Sequence, residues 1–383
     1  MTRRVNIAVG AGLAGMGLAL MLAAAPATAQ TLKMGIIGPL SGAAAVYGSE
    51  TLEGARFALD ALAKAGTLGG LKIELIPDDS TANPGKAAQG AARMVASDDV
   101  LAIIGGSTSA ETQAMVEVTK PAGVLQFSPL AQATNLTQQN NPWFARLSQT
   151  ADTFASNAAI WAIERHKAKS VYLLVRNDNY GQSLAEAFAR TVESKGIKVA
   201  GRVPYEPNAR DFKPLLSTMA GAKPDFVAIM GLYTDTGLIV KQMGELDIKL
   251  PTYANTSPAI PQFVEIAGPA SDGAYGALYY FAGSIDTAAG KSFVADWRAK
   301  FNRDPSQYEG MGYDSMLVMA EAAKRAAAKG KVTRQSLRDA LFTVQDFAGG
   351  TGAITILPNG DVKRPLPFVQ LSGGKLKLDF VVN

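Results

Sequence analysis

Short apolar runs alternate with amphipathic stretches along most of the chain. Residues 32–40, 100–104 and 124–127 have strand length, and helical spacing of apolar positions marks the stretches that follow the first two runs. A second series of the same kind begins near residue 152 and includes an apolar run at 170–175. Strands that alternate with helices form mostly parallel sheets covered on both faces. Two such series in succession predict two α/β domains.

The C-terminal part of the chain has a different pattern. Residues 352–356, 365–371 and 376–382 read as antiparallel strands, and a Pro-Asn-Gly sequence at 358–360 predicts a turn. Helices are predicted before them, the last at 334–343.

The N-terminus has the pattern of an export signal. Arg3 and Arg4 precede an apolar stretch at 5–25, and Ala-Thr-Ala at 27–29 supplies small residues at a cleavage site. The stretch is also long enough for a permanent membrane anchor. The adjacent cleavage site favours a signal peptide over residues 1–29, and we expect a mature protein that is soluble outside the cytoplasm.

Composition excludes several classes of chemistry. The chain has 383 residues, of which 18% are charged, and 37 Lys and Arg against 33 Asp and Glu give +4. That excess is too small for an electrostatic nucleic-acid binder. There is no Cys, and His166 is the one His. Without thiolates, a His cluster or a recognisable catalytic motif, we predict no catalytic residues, no metal and no cofactor.

Tyrosines follow three predicted strands within a few residues. In open α/β sheets, ligands bind beyond the carboxyl ends of the strands, where Tyr47, Tyr180 and Tyr233 are expected. A Tyr offers a flat apolar face and a hydroxyl, which suits a half-polar small ligand. Each alone fits ordinary packing, but three at equivalent positions favour a lined cleft.

Two further strand ends carry hydrogen-bonding groups. Ser107 and Ser109 flank the start of a predicted helix, where hydroxyls and free N–H groups can hold a carboxylate. Simple N-capping explains them equally well. Residues 128–132 add backbone and amide donors, although a plain turn fits that segment too.

Short motifs are spread over nearly the whole mature chain. They are GIIGPLSG at 35–42, YG at 47–48, EGA at 53–55, DD at 78–79, IGGSTSAETQ at 104–113, SP at 128–129, NYG at 179–181, DF at 211–212, DP at 304–305 and GYD at 312–314. Each is weak, but their order and spacing resemble the leucine/isoleucine/valine-binding protein family. Members of that family are periplasmic solute-binding components of ABC importers.

The resemblance implies a type I periplasmic-binding fold. Two doubly wound parallel-sheet lobes are joined by a hinge of three crossings, and closure buries a ligand between them. Lobe one maps to 30–150 plus 281–358, and lobe two maps to 151–280 plus 359–383. The implied partners are a small ligand and a permease in the inner membrane. A monomer is the family expectation.

The resemblance also assigns roles to individual residues. Ser109 matches the serine that holds the ligand carboxylate, and the three tyrosines match wall positions. The remaining matched positions are Leu130, Ala131, Gln132 (which replaces a family threonine) and Thr256.

Thr256 lies near the position where amino-acid binders of the family carry a Glu that pairs with the ligand ammonium. A buried ammonium without a carboxylate partner is costly. We therefore expect a small aromatic or aliphatic acid that lacks an α-amino group. A branched-chain or other amino acid is the alternative. Two further hypotheses assign a different kind of function: an exported hydrolase, or a ligand sensor that docks on a receptor.

Overall fold

The computed structural model describes residues 1–2 and 30–382. The predicted signal peptide falls on residues 3–29, outside the described residues. Among the helices that are described, none is long and apolar enough to cross a membrane.

Strands and helices alternate through the first two thirds of the chain, as the hydrophobic pattern predicts. The strands are β1 (Thr31–Gly38), β2 (Lys72–Asp79), β3 (Ala102–Gly105), β4 (Leu125–Ser128), β5 (Phe144–Arg146), β6 (Ser170–Arg176), β7 (Lys198–Tyr205), β8 (Phe226–Met230), β9 (Thr252–Tyr253), β10 (Tyr275–Ala277), β11 (Phe347–Gly349), β12 (Gly352–Ile356), β13 (Val362–Lys363), β14 (Leu366–Ser372) and β15 (Lys375–Val382).

Helices connect most of these strands and cover the sheets. They are α1 (Ala45–Lys64), α2 (Pro84–Arg93), α3 (Ser109–Thr119), α4 (Ala151–His166), α5 (Asn179–Ser194), α6 (Lys213–Ala222), α7 (Tyr233–Glu245), α8 (Pro261–Ala267), α9 (Ala288–Phe301), α10 (Gln307–Ala327) and α11 (Arg334–Leu341).

The first sheet has the order β2-β1-β3-β4-β5, and every pair in it is parallel. Strand β1 is buried on both faces, because Met34 and Ile36 join the main core while Ile37 packs with Ala87 and Met115 of α2 and α3. A parallel sheet covered on both faces is the doubly wound arrangement that the sequence predicts. Strand β5 has only three residues, too few to produce a pattern, and it is absent from the predictions.

The second sheet has the order β15-β14-β10-β9-β8-β6-β7. Strands β6 to β10 pair in parallel, whereas β14 pairs antiparallel with both β10 and β15. The last two strands of the antiparallel tail predicted from the sequence therefore form the far edge of this sheet, whereas the predicted strand at 352–356 belongs to another sheet. Strand β10 ends at Ala277, and the Leu278 N–H then donates to the Pro367 carbonyl oxygen of β14 at 2.8 Å.

A small antiparallel sheet, β11-β12-β13, lies beside helices α9 and α10. Arg146 of β5 donates its N–H to the Gly360 carbonyl oxygen at 2.9 Å, so the turn at 358–360 lies against the first sheet. The division into two lobes stays a proposal. These contacts favour a third crossing near Arg364, a few residues later than the expected boundary at 358/359.

Arg364 links the three crossings at the centre of the molecule. Its side chain is buried, and it donates to the carbonyl oxygens of Leu147 at 3.4 Å and Tyr279 at 3.0 Å. Gln149 donates back to the Arg364 carbonyl oxygen at 2.8 Å. The segments that connect the two large sheets are therefore joined by hydrogen bonds to a single residue, Arg364.

Candidate functional site

A cavity of about 560 Å³ lies where the carboxyl ends of both large sheets face each other. Residues from both halves of the molecule line it, including seven of the nine positions predicted from the sequence. These seven are Tyr47, Ser107, Ser109, Leu130, Tyr180, Tyr233 and Thr256. Their convergence on one cavity is an observation, and their role as ligand contacts stays a prediction.

The turn between β3 and α3 forms one end of the cavity. Gly106 has a φ of 80°, which permits this turn, and a Cβ at that position would lie 2.2 Å from the Thr112 hydroxyl oxygen. The Thr108 hydroxyl accepts the Glu111 N–H, and the Glu111 carboxylate accepts the Thr108 N–H, so these residues form a capping box. The capping explanation therefore holds for Thr108, whereas Ser107 and Ser109 on either side face the cavity.

Ser109 and Ala110 provide the hydrogen-bond donors at this end. They occupy the first turn of α3, whose N–H groups have no intrahelical partner. The Ser109 hydroxyl oxygen accepts the N–H of Ala133 at 3.1 Å, which leaves its own proton for a ligand. Backbone and hydroxyl donors at the positive end of a helix dipole suit an anion.

Ala131 and Gln132, which were also expected to contribute, do not line the cavity. The Ala131 N–H donates to the Ser128 hydroxyl at 3.2 Å, and the Ala131 carbonyl accepts from Ser148 at 2.7 Å. Gln132 is fully buried behind the wall. Leu130 does line the cavity, but its carbonyl accepts the Tyr279 hydroxyl at 2.7 Å.

Aromatic rings from three helices meet on another wall. Tyr47 of α1 lies edge-on to Tyr233 of α7 and to Tyr308 of α10, with ring centroids 5.6 and 5.1 Å away. Close packing after β1 positions Tyr47, since a Cβ at Gly48 would lie 2.3 Å from the Pro39 carbonyl oxygen. Edge-to-face contacts fix the ring orientations and leave an apolar surface for a ligand.

A hydrogen-bonded relay orients the hydroxyl of Tyr180. Tyr253 donates its hydroxyl proton to Oδ1 of Asn255 at 3.1 Å, and Nδ2 of Asn255 donates to the Tyr180 hydroxyl. Asn255 has a φ of 50°, a left-handed conformation that Asn tolerates well. Burial raises the pKa of Tyr180 well above its usual value. Tyr180 therefore stays protonated, and its proton is available to a group outside the relay because its oxygen accepts from Asn255.

Carboxylates near the cavity are already neutralised. Asp178 is the one carboxylate among the described lining residues; it accepts from the Gly181 N–H at 2.9 Å and from Nε of Arg176 at 2.6 Å. Behind it, buried Asp235 accepts from Arg176 at 3.1 Å and from the Tyr205 hydroxyl at 3.0 Å. Asp235 is therefore committed to this network.

Several lining residues were not among the sequence predictions. Tyr308 lies in the first turn of α10 and has no strand directly before it, whereas Tyr279 follows β10 by two residues, so the strand-end rule could have found it. Thr81, Ala82 and Asn208 line the cavity with φ values of 51°, 57° and 71°. Left-handed backbone at non-glycine residues is a structural feature of functional sites that a sequence pattern does not reveal.

Two α/β halves that enclose a cavity of aromatic rings and helix N–H groups define a two-lobed ligand-binding protein. The chain belongs to the periplasmic binding protein family, since that family's sequence profile matches residues 31–375.

Relatives of known specificity share this architecture. The leucine-, isoleucine-, valine-, threonine- and alanine-binding protein of Pseudomonas aeruginosa is 27% identical over 336 residues, which is 88% of each chain. A leucine-binding protein of Thermotoga maritima is 25% identical, with a TM-score of 0.87 over 92% of this chain and 99% of that one. A solute-binding protein of R. palustris, solved with 4-hydroxybenzoate, is 21% identical, with a TM-score of 0.81 over 92% and 97%.

Family membership establishes a solute-binding protein of the ABC-transporter type and not an enzyme. The reading as an exported hydrolase is therefore wrong. Its one candidate base, His166, packs against Trp161 and Tyr275 with ring centroids 5.0 and 4.8 Å away, and it does not line the cavity.

Proposed function

We propose that this protein captures a small carboxylic acid without an α-amino group, aromatic or aliphatic, and delivers it to an ABC permease. The α3 N-terminus and Ser109 hold the carboxylate, and Tyr47, Tyr180 and Tyr233 enclose the body of the ligand. Cleavage of residues 1–29, a periplasmic location and a monomeric state belong to the same proposal.

The balance of charge around the cavity carries this proposal. An amino acid brings an ammonium group, and burying it requires an anionic partner. The one carboxylate on the described lining, Asp178, is paired with Arg176, and Thr256 stands near the position where amino-acid binders are expected to carry a Glu. Arg176 and Lys86 also line the cavity, so the lining has more cationic than anionic groups. These features favour an anion over a zwitterion.

Relatives do not decide between the two ligand classes. The Pseudomonas aeruginosa protein binds leucine, isoleucine, valine, threonine and alanine, and the R. palustris protein binds 4-hydroxybenzoate within the same fold. The sequence identity to the Pseudomonas aeruginosa protein is the observation that favours an amino acid as the second candidate. A cavity of about 560 Å³ has the size of a typical small-molecule site and admits both classes.

Matched ligand pairs that differ only in the α-amino group test the proposal. Thermal-shift assays and titration calorimetry would compare 3-phenylpropanoate with phenylalanine, and 4-methylpentanoate with leucine. We expect stabilisation by an acid, worth about 2.7 kcal/mol when its concentration is 100 times Kd. Binding of the amino acids alone would show that the ligand class is wrong.

A further inference from the structure

One tyrosine hydroxyl in the cavity wall is buried and makes no well-aligned hydrogen bond with the described residues, although the Thr256 side chain lies beside it. This hydroxyl belongs to Tyr308, which is 1% exposed and lies in the first turn of α10. The turn is fixed by a capping box between Ser306 and Glu309, so the ring has a defined position.

Each of the other tyrosine hydroxyls of the wall has a partner, but Tyr47 and Tyr180 act only as acceptors and keep their own protons. Tyr233 donates to the Ala43 carbonyl and Tyr279 to the Leu130 carbonyl. The Tyr47 hydroxyl accepts the Tyr233 N–H at 3.4 Å, and the Tyr180 hydroxyl accepts from Asn255.

A buried hydroxyl without a partner costs about 1–3 kcal/mol. Because Tyr308 lines the cavity, a bound ligand is in a position to remove that cost.

The surroundings of Tyr308 hold neutral groups on the cavity side. Gln307 donates to the carbonyl oxygen of Thr256 at 3.1 Å, which places the Thr256 segment beside the start of α10. The nearest carboxylate along the helix, Glu309, is buried and bonded to both terminal nitrogens of Arg303, at 2.5 and 2.7 Å. A ligand group in this corner meets hydroxyls and not charges.

We propose that Tyr308 is a specificity-determining residue that donates its hydroxyl proton to a neutral oxygen of the ligand. The ligand is then a carboxylic acid that carries a second oxygen, as a hydroxyl or carbonyl group. This inference rests on the proposed function, because it assumes that the carboxylate lies at α3 and that no ammonium group is present.

Calorimetry with wild type and Tyr308→Phe tests the assignment. The probes are three pairs of acids with and without the second oxygen: 3-phenyllactate and 3-phenylpropanoate, 2-hydroxy-4-methylpentanoate and 4-methylpentanoate, and 4-hydroxybenzoate and benzoate. In at least one pair, wild type should prefer the oxygen-bearing acid by about fivefold or more. Tyr308→Phe should abolish that preference and leave the affinity for the plain acid nearly unchanged.

Two controls separate recognition from structure. The Tm of ligand-free Tyr308→Phe should equal or exceed that of wild type, because the substitution removes an unpartnered buried hydroxyl. Tyr280→Phe is the matched variant: its hydroxyl is also unpartnered and its side chain is 2% exposed, but it lies outside this cavity. Tyr280→Phe should keep the wild-type preference.

The results distinguish two kinds of failure. Equal weakening of all acids by Tyr308→Phe, or an unchanged preference, would overturn the role of Tyr308 and leave the proposed function intact. Wild type that binds only the amino acids would overturn the proposed function and, with it, this assignment.

Discussion

The Ser109 hydroxyl group accepts one hydrogen bond within the protein and can donate another to a ligand. The oxygen accepts the Ala133 N–H at 3.1 Å, and the proton is free for a ligand carboxylate. The accepted bond fixes the residue that follows Gln132, and the donated bond is the proposed anion contact. Removal of this hydroxyl therefore affects the shape of the cavity wall and the ligand itself.

We expect Ser109→Ala to weaken ligand binding by about 10- to 150-fold, since a hydrogen bond to a charged group contributes about 1.5–3 kcal/mol. Calorimetry with the ligand identified by the matched pairs measures the change. Ser194→Ala removes an exposed hydroxyl that donates to the Thr191 carbonyl, away from the cavity, and should bind as wild type does. An affinity unchanged by Ser109→Ala would remove Ser109 from the site.

Tyr253 acts on the cavity without lining it. Its hydroxyl orients Asn255, which in turn donates to Tyr180. We expect Tyr253→Phe to weaken binding by about 2- to 10-fold, because the amide loses one of the bonds that hold it. Tyr172→Phe alters another buried tyrosine of the same sheet and serves as the control. Equal affinities of the two variants in calorimetry would contradict the relay.

At the scale of elements, the contact between α1 and α10 contains a carboxyl group with a displaced pKa. Burial raises the pKa of Glu50 from 4.5 to about 7, although the Ser306 hydroxyl, which donates to it at 2.6 Å, opposes the shift. Glu53, Glu309 and Arg303 also face this carboxyl group. Between these two pKa values the folded protein binds a proton that the unfolded chain has released, so stability falls as pH rises.

We therefore expect Glu50 to contribute on the order of 1–3 kcal/mol of stability that is lost as pH rises from about 4.5 to about 7. Urea unfolding at several pH values, compared between wild type and Glu50→Gln, isolates this part. His166, which lies in lobe two of the proposed division, is present in both proteins, so its titration cancels when the two curves are compared. Parallel curves for the two proteins would show that Glu50 has an ordinary pKa.

The sequence revealed much of the site because parallel strands place their carboxyl ends along one edge. The rule that ligands bind at the carboxyl ends of parallel strands predicts a shared location for Tyr47, Ser109, Tyr180 and Tyr233, and these residues do line one cavity. It fails for Tyr308, which follows a crossing and a helix cap and so has no strand before it.

The rule also gives no side-chain direction within a turn. Leu130 faces the cavity, whereas the two residues after it face the core, because the Ala131 N–H is bonded to Ser128. Cross-lobe contacts, such as the one between Tyr233 and Ala43, depend on how the lobes close, and no local pattern specifies that.

At the scale of the whole molecule, several hydrogen bonds join the proposed lobes, and two of them bear on closure of the cleft. The Tyr233 hydroxyl donates to the Ala43 carbonyl, and Nδ2 of Asn179 donates to Oδ1 of Asn135 at 3.0 Å. Separation of the two proposed lobes would break both bonds. They therefore stabilise the closed form relative to an open one.

Asn135→Ala should speed ligand dissociation by about 2- to 10-fold and change association less, because Asn135 does not line the cavity. Stopped-flow fluorescence measures both rates. Asn157→Ala removes a surface amide that bonds only to the Thr153 carbonyl, and should release ligand at the wild-type rate. Dissociation as slow in Asn135→Ala as in Asn157→Ala would exclude a closing role for this bond.

The last two strands have a consequence for how the molecule is assembled. Strand β10 keeps an open edge until β14 pairs with it, and almost ninety residues separate the two strands in the chain. A growing polypeptide therefore completes its second sheet only after nearly every residue has been made. Until then, β10 presents unpaired N–H and C=O groups that can recruit other chains, so a product cut short before residue 366 is expected to aggregate.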